Sequence, residues 1–320
     1  MKVLITGSSG FIGFHTSLYL LKKKCVVMGI DNNNNYYDQK LKKKRLDILK
    51  KFKNFKFFKF DLSKLNNKNF KKIDDFKPIY IIHLAAQPGV RYSIKYPEKN
   101  FDYNIKAFFN IMEISRKLMV RHFIFASSSS VYGNQMKKMS EKLSTDKPIS
   151  FYASTKKTNE IMAYAYSSIY KLNCTGLRFF TVYGPYGRPD MSPIIFLKSI
   201  LRRKNIYLNN NGNHSRDYTY VEDVSAAIHK LLNKKSKKTI PYQIFNIGSG
   251  KQTKIKEFVK IIEKLTGLKS KIQYTKLQKG DVRDTIASIS EIKKNILYNP
   301  TKIELGLKKF IKWYKEYYNE

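Results

Sequence analysis

The sequence predicts an α/β fold: a doubly wound parallel sheet with a smaller, intermingled C-terminal domain. Three observations carry that expectation. Short apolar runs alternate with longer helical stretches from the first residues to about residue 180. Gly7, Gly10 and Gly13 punctuate the first passage from strand to helix. Beyond residue 180 the alternation lapses, and the clusters Gly184-Pro185 and Gly187-Arg188-Pro189 take its place.

In chain order, residues 2–6 (Lys-Val-Leu-Ile-Thr) read as a buried parallel strand, Gly7 to Gly13 as a turn, and 12–24 as a helix. Cys25–Ile30 is the second strand and stops at Asp31. The polar loop Asn32–Tyr37 leads to a lysine-rich helix near 38–51. Phe55–Phe60 and Ile79–Leu84 are the next strands, ending in Asp61-Leu62 and Ala85-Ala86-Gln87. A helix near 98–118 precedes the strand His122–Ala126, the run Ser127-Ser128-Ser129-Ser130, and a helix over 151–170. Cys174–Phe179 is the sixth strand. Residues 1–180 form the first domain and 181–320 the second, with one strand near 242–248 returning to the sheet. An amphipathic basic helix over 305–318 closes the second domain.

With 320 residues, 42% of them apolar, the chain can build a large core. No run reaches the ~18 apolar residues of a membrane span, and the first residues enter a strand rather than a signal peptide. Cys25 and Cys174 read as buried thiols of a reducing, cytoplasmic compartment. The five histidines show no metal-ligand spacing. A formal charge of +38 invites a nucleic-acid or membrane partner. The excess, however, is nearly all Lys, spread along the chain with abundant Asn, Ile, Tyr and Phe, which share AT-rich codons. Codon composition explains it, and neither partner is expected. A positive surface still steers anionic ligands.

The chemistry-bearing signal is Tyr152-Ala-Ser-Thr-Lys156, which places a phenol and an amine one helical turn apart. A nearby ammonium favours the phenolate. Moving a tyrosine from about 10 to about 7 takes roughly 4 kcal/mol, which one cation and a positive nicotinamide ring supply in a partly dry site. The pair then suits deprotonation of a hydroxyl while a cofactor takes the hydride. Among 23 tyrosines the spacing alone is weak, so its context decides. Gly7, Gly10 and Gly13, with Phe11 and Ile12 between them, suit a turn that brings backbone close to a diphosphate. Asp31, beside Asn32, is placed to accept bonds from a ribose and to repel a 2′-phosphate, which selects NAD over NADP. Asp61 and Leu62 end a strand near the adenine, and the small Ala85 and Ala86 before Gln87 leave room for the cofactor.

Together these residues resemble the extended short-chain dehydrogenase/reductase superfamily, and most closely the nucleotide-sugar 4-epimerases acting on UDP-glucuronate. The likeness runs nearly the whole length: Ile5 to His15, Gly29 to Asn32 with Tyr36-Tyr37-Asp38, His83–Ser93, Ala126–Gly133, Tyr152–Lys157 with Asn159-Glu160, Gly176–Met191 and Arg216–Asp223. It implies a Rossmann sheet, NAD retained through turnover, a UDP-sugar substrate bound by the C-terminal domain, and a homodimer packed through two helices per subunit. It makes Tyr152 the base, Lys156 its partner and the holder of the nicotinamide ribose, and Ser128 the hydroxyl that binds the reacting oxygen, flanked by Ser127 and Ser129. Asn104 and the 179–182 segment, with Thr181 and Val182, line the cofactor and substrate; Arg216 grips the diphosphate or uridine, and Arg283 is a second contact. Asn159 and Glu160 read as helix structure. Two departures, Arg283 where the family has Pro after Gly280-Asp281-Val282 and Ser288 where an acid is common, bear on the late nucleotide contacts.

Relatives that eliminate water or carbon dioxide carry acids just before the Val-Tyr-Gly segment; here that place holds Ser129-Ser130. Without an acid, return of the hydride to the other face remains, and C4 inverts. A 4-keto uronate is prone to lose carbon dioxide, so its carboxylate needs holding; Arg188 and Arg91 are the candidate clamps. The product would enter polysaccharide biosynthesis. The competing expectations are a 4-epimerase for UDP-glucose or UDP-N-acetylglucosamine, and a basic, non-catalytic nucleotide- or nucleic-acid-binding relative.

Overall fold

The computed structural model describes residues 1–320 apart from 136, 137, 235, 237 and 277–281. Val3, Leu4, Ile5 and Thr6 of β1 (Lys2–Thr6) are fully buried, as a parallel strand covered on both faces requires. β2 (Val26–Asp31), β3 (Phe55–Lys59), β4 (Tyr80–His83), β5 (His122–Ser128), β6 (Cys174–Phe179) and β7 (Tyr242–Ile247) join it in one parallel sheet of order β7-β6-β5-β4-β1-β2-β3. The chain winds outward from β1 through β3 and restarts on the other side at β4. The crevice at this reversal lies beyond the carboxyl ends of β1 and β4, where α/β sheets bind ligands.

Helices cover both faces. On one face α1 (Phe11–Lys22), α2 (Gln39–Lys50) and α7 (Val221–Leu232) bury Phe14, Leu20, Leu49 and Ile228 against the strands. On the other, α3 (Asn67–Phe76), α4 (Ala107–Lys117) and α5 (Phe151–Tyr170) contribute Ile73, Phe108, Ile111 and Ala163. A separate cluster forms from α6 (Ser192–Leu201), α8 (Ile255–Thr266) and α9 (Ile303–Tyr318), around Leu197, Phe258, Phe310 and Trp313.

The structure departs from the sequence expectation after residue 180, where regular helices replace the irregular chain. α8 buries Ile255, Phe258, Val259 and Ile262, a helical spacing, and stops at Gly267 with φ +73°. α7 packs beside α1 on the sheet although it lies beyond residue 180. α3 was hidden by its Lys and Asn content; it buries only Ile73 and is capped by the Asn66 side chain accepting from the Asn69 N–H. β5 runs two residues past Ala126, so Ser127 and Ser128 belong to the strand. Cys25 and Cys174 are buried free thiols. Among the described residues no helix is long and apolar enough to cross a membrane, and no His, Cys, Asp or Glu group is arranged to hold a metal.

The tightest constraint lies where α1 leaves β1. A Cβ on Gly13 would stand 2.0 Å from the Gly7 carbonyl oxygen. Gly13→Ala must therefore push α1 off the turn, and we expect it to lower stability by about 3 kcal/mol in urea unfolding; an unchanged midpoint would contradict this packing.

Candidate active site

One cleft of about 870 Å³ opens along the carboxyl ends of the strands. At one end stands the glycine turn. Gly7 has φ +72°, and a Cβ there would meet the Ala85 nitrogen at 2.7 Å, so the turn lies directly on the chain leaving β4. Gly10 caps α1 without a side chain, and Phe11, Ile12 and Gly13 of its first turn line the cleft. Helix-end N–H groups at a glycine turn fit an NAD diphosphate. Asp31, at the end of β2, accepts from the backbone N–H of Ser9 at 3.0 Å and of Asn33 at 2.8 Å. Burial raises its carboxyl, opposed by these N–H bonds and the charges of Lys42 and Arg45. Asn32 donates to Asp61 at 3.4 Å, and Asp61 caps the turn Leu62–Lys64 through the Ser63 N–H. Asn32, Asp61, Leu62, Ala85, Ala86 and Gln87 all line this end.

In the middle, β5 delivers the serines and α5 faces them. Ser150 caps α5 by accepting the Ala153 N–H at 3.1 Å, which sets Tyr152 in the first turn and Lys156 in the second. The Tyr152 N–H donates to the Ser93 hydroxyl at 3.1 Å. Lys156 Nζ donates to the Ala126 carbonyl at 3.0 Å and is 2% exposed. The Ser128 hydroxyl accepts the Ser130 N–H at 3.1 Å, donates to the Ser130 hydroxyl at 3.0 Å, and lies near enough to the Tyr152 phenol to favour its ionised form. Ser127, 3% exposed, donates to Glu160 Oε1 at 2.6 Å, and Glu160 pairs through both oxygens with Arg178, each at 2.8 Å. Tyr152, Lys156 and Ser127 to Ser130 line the cleft.

One electrostatic expectation changes. Burial raises the Tyr152 phenol; the Ser128 hydrogen bond and the Arg188 charge oppose it, and Lys156 is not among the groups that shift it. The reason is geometric: the amine is turned onto the Ala126 carbonyl, and burial itself lowers Lys156 to about 8. The ligand-free phenol is therefore protonated.

Thr181, Val182, Arg91, Arg188 and Arg216 line the remaining walls. Arg188 Nε and Nη2 bind Asp190, and the Tyr36 hydroxyl donates to Asp190 at 3.0 Å. Arg216 Nη1 donates to the carbonyls of Ser215 and Arg283. Arg91 is exposed at the rim. Two expected residues are not on the wall. Asn104 lies behind it, saturated by Gln87 N–H and C=O, Asn100 and Thr155, so it holds Gln87 rather than facing the cleft. Arg283 is exposed and offers its carbonyl to Arg216, while its neighbour Val282 faces the cleft. Gly280 and Asp281 lie outside the described residues.

Sequence reasoning passed over Arg45 and Asp190 and read Glu160 only as helix structure. Asp190 sits in the quoted Gly176–Met191 segment and Glu160 in the quoted α5 segment, but bonds that define them come from distant chain. Arg45 was masked by the lysines before it.

The model described as the NAD dependent epimerase/dehydratase family matches residues 3–248. The chain belongs to this family. Within the epimerase/dehydratase family it is similar to Protein CapI of Staphylococcus aureus, 43% identical over 336 residues and 100% of both chains. It is also similar to UDP-glucuronate 4-epimerase of Thermodesulfobacterium geofontis, 40% identical over 98% of this chain and 96% of that one. The crystal structure of UDP-glucuronic acid 4-epimerase from Bacillus cereus, in complex with UDP-glucuronic acid and NAD, superposes with a TM-score of 0.92. That pair is 32% identical, covering 99% of this chain and 100% of that one.

The buried amine makes a pH-dependent prediction. An ordinary lysine titrates at 10.5 and Lys156 at about 8. The unfolded chain thus binds more protons between those values, and stability rises with pH across that window. Below about 8 the desolvation penalty is present in full. Lys156→Met is expected to stabilise the ligand-free protein at pH 7 by up to roughly 3 kcal/mol, with the gain fading above pH 8. Urea unfolding at both pH values checks this; an equal gain at pH 7 and pH 10 would contradict it.

Proposed function

We propose that this chain inverts C4 of a UDP-sugar, with NAD as its cofactor, and that UDP-glucuronate is the sugar nucleotide turned over. The observation that carries the proposal is the meeting of the Tyr152 phenol, the Ser128 hydroxyl and the Lys156 amine at the end of β5 where, among the described residues, no carboxylate lines the cleft beside them. Among the described residues the carboxylates lining the cleft are Asp31, Asp61 and Asp190. All three are already bonded, to backbone N–H groups or to Arg188. Elimination needs a further acid or base at the intermediate; oxidation followed by reduction needs only one proton acceptor that returns its proton.

When bound, the oxidised nicotinamide accepts and returns a hydride and brings the positive charge that favours a phenolate. Tyr152 takes the proton of the 4-hydroxyl, and Ser128 orients that oxygen. Loss of hydride from C4 leaves a 4-keto sugar. Rotation about the diphosphate presents the opposite face; Tyr152 then returns its proton as the hydride returns, so atoms and charge balance over the cycle. Lys156 holds the nicotinamide ribose and Arg216 the diphosphate. Arg188 receives a uronate carboxylate by exchange with Asp190, and Arg91 at the rim is the second cation on the cleft wall. Relatives named UDP-glucuronate 4-epimerase support this substrate over the UDP-hexoses.

The finer expectations fit the same reading. Phe109, Ile161, Tyr164 and Ile169 on α4 and α5 are apolar and exposed, which suits a homodimer through those two helices. Two buried free thiols suit the cytoplasm. The division near residue 180 assigns the sheet to the cofactor and the cluster of α6, α8 and α9 to the nucleotide sugar.

Incubation with UDP-glucuronate, UDP-glucose and UDP-N-acetylglucosamine, with products resolved by chromatography, tests the proposal. Tyr152→Phe is expected to lower kcat by at least roughly 100-fold. Arg188→Ala is expected to lower kcat/KM for UDP-glucuronate roughly tenfold more than for UDP-glucose. Undiminished inversion by Tyr152→Phe would overturn the chemistry, and equal losses with both sugars would overturn the clamp.

A further inference from the structure

The loop 184–190 carries Arg188, yet it is held chiefly by two residues from the cofactor half of the fold. Three consecutive carbonyls of the loop accept from them. His15 on α1 donates from Nε2 to the Pro185 carbonyl at 2.7 Å. Arg45 on α2 donates from Nε and Nη2 to the Tyr186 carbonyl at 3.1 and 2.6 Å, and from Nη2 to the Gly187 carbonyl at 3.3 Å. Fixing the Gly187 carbonyl fixes the peptide plane that leads into Arg188. The loop needs such holding, because Tyr186, which is not a glycine, sits at φ +55°. The Tyr186 ring also packs on Phe14 of α1, with centroids 5.1 Å apart.

Arg45 reaches the cofactor end with its remaining nitrogen. Nη1 donates to the Ser9 carbonyl in the glycine turn at 2.9 Å and to the Tyr37 hydroxyl at 2.6 Å. The same Ser9 gives its N–H to Asp31. All five guanidinium donors are therefore used, and every acceptor is neutral. The side chain is 0% exposed. A buried cation held only by dipoles is expensive unless an anion lies near. Asp31 feels its charge, and a diphosphate at the N-terminus of α1 would stand on the far side of the same turn. His15 stays neutral, lowered to about 4 chiefly by burial, so its donor persists at physiological pH.

We propose that His15 and Arg45 are positioning residues that hang the 184–190 loop, and with it Arg188, from the glycine turn, coupling dinucleotide binding to selection of the sugar. The inference rests on Arg188 facing the sugar, as in the function proposed above. Coupling of this kind is reciprocal: what the dinucleotide gains from an ordered loop, the sugar site gains from bound dinucleotide.

The test uses the full-length protein. Arg45→Lys keeps the charge but can fill at most three of the five bonds. It is expected to release NAD roughly tenfold faster and to lower the UDP-glucuronate to UDP-glucose ratio of kcat/KM several-fold. His15→Leu is expected to lower that ratio likewise, while His15→Gln, which restores a donor, stays near wild type. In an Arg188→Ala background neither Arg45→Lys nor His15→Leu should change the ratio further. Unchanged NAD release and an unchanged ratio in Arg45→Lys, whatever its melting temperature, would overturn the proposal; so would a ratio change that persists without Arg188. If Arg45→Lys does not fold, the two His15 variants carry the same readouts. Failure of the epimerase reading has a different signature, no turnover of any UDP-sugar by the wild type. Calorimetry then decides the coupling: NAD should tighten UDP-glucuronate binding to the wild type and leave it unchanged in Arg45→Lys.

Discussion

The buried ion pair between Glu160 and Arg178 is the contact on which the site depends. Glu160 comes from α5, the helix that bears Tyr152 and Lys156, and Arg178 from β6. Both are about 5% exposed or less. Glu160 also accepts the Ser127 hydroxyl from β5, and Arg178 lies over the Tyr132 ring, 4.8 Å from its centroid. Tyr132 in turn donates to Asn246 of β7 at 2.7 Å. A helix and three strands are thus locked in one register by a group that cannot relax without leaving a bare charge. That lock sets the distance between the serine run and the phenol, which propensity and apolar packing alone do not fix.

Around the lock, burial works against the chemistry until ligand arrives. It raises Tyr152 and lowers Lys156, so both groups are pushed toward their neutral forms. A neutral phenol is a poor base, so in the proposed mechanism the site stays quiet when the cleft is empty. Positive charge entering the cleft reverses the balance at the phenol, and the Ser128 hydrogen bond and the Arg188 charge already lean the same way. In the proposed mechanism, activation of Tyr152 is then coupled to occupancy.

Much of this was legible in the sequence, and the reason is locality. The glycine turn, the end of β2 at Asp31, the serine run and the Tyr152–Lys156 spacing are each defined by strand-to-helix punctuation or by one helical turn. What escaped depends on contacts between distant segments. Arg45 acquires its role from Tyr186 and Gly187, more than 140 residues away. Glu160 read only as helix structure until Arg178 and Ser127 met it. Asn104 carries the expected amide, but the turn of chain at Gln87 intercepts it before the cleft. α8 is a different lesson, since Ile255, Phe258, Val259 and Ile262 with the Gly267 cap spell a helix that the glycine-rich surroundings concealed.

The central claim is that the Tyr152 phenol ionises near neutrality only when the positive charge of bound NAD joins the cations already in its cleft. The most direct measurement is the titration of Tyr152 by carbon-13 tyrosine NMR, assigned with Tyr152→Phe, in NAD-free protein and after NAD addition. The account predicts a titration above the ordinary tyrosine value without NAD and a fall of several pH units, roughly to neutrality, with NAD bound. A Tyr152 titration that stays where it was when NAD binds would contradict it.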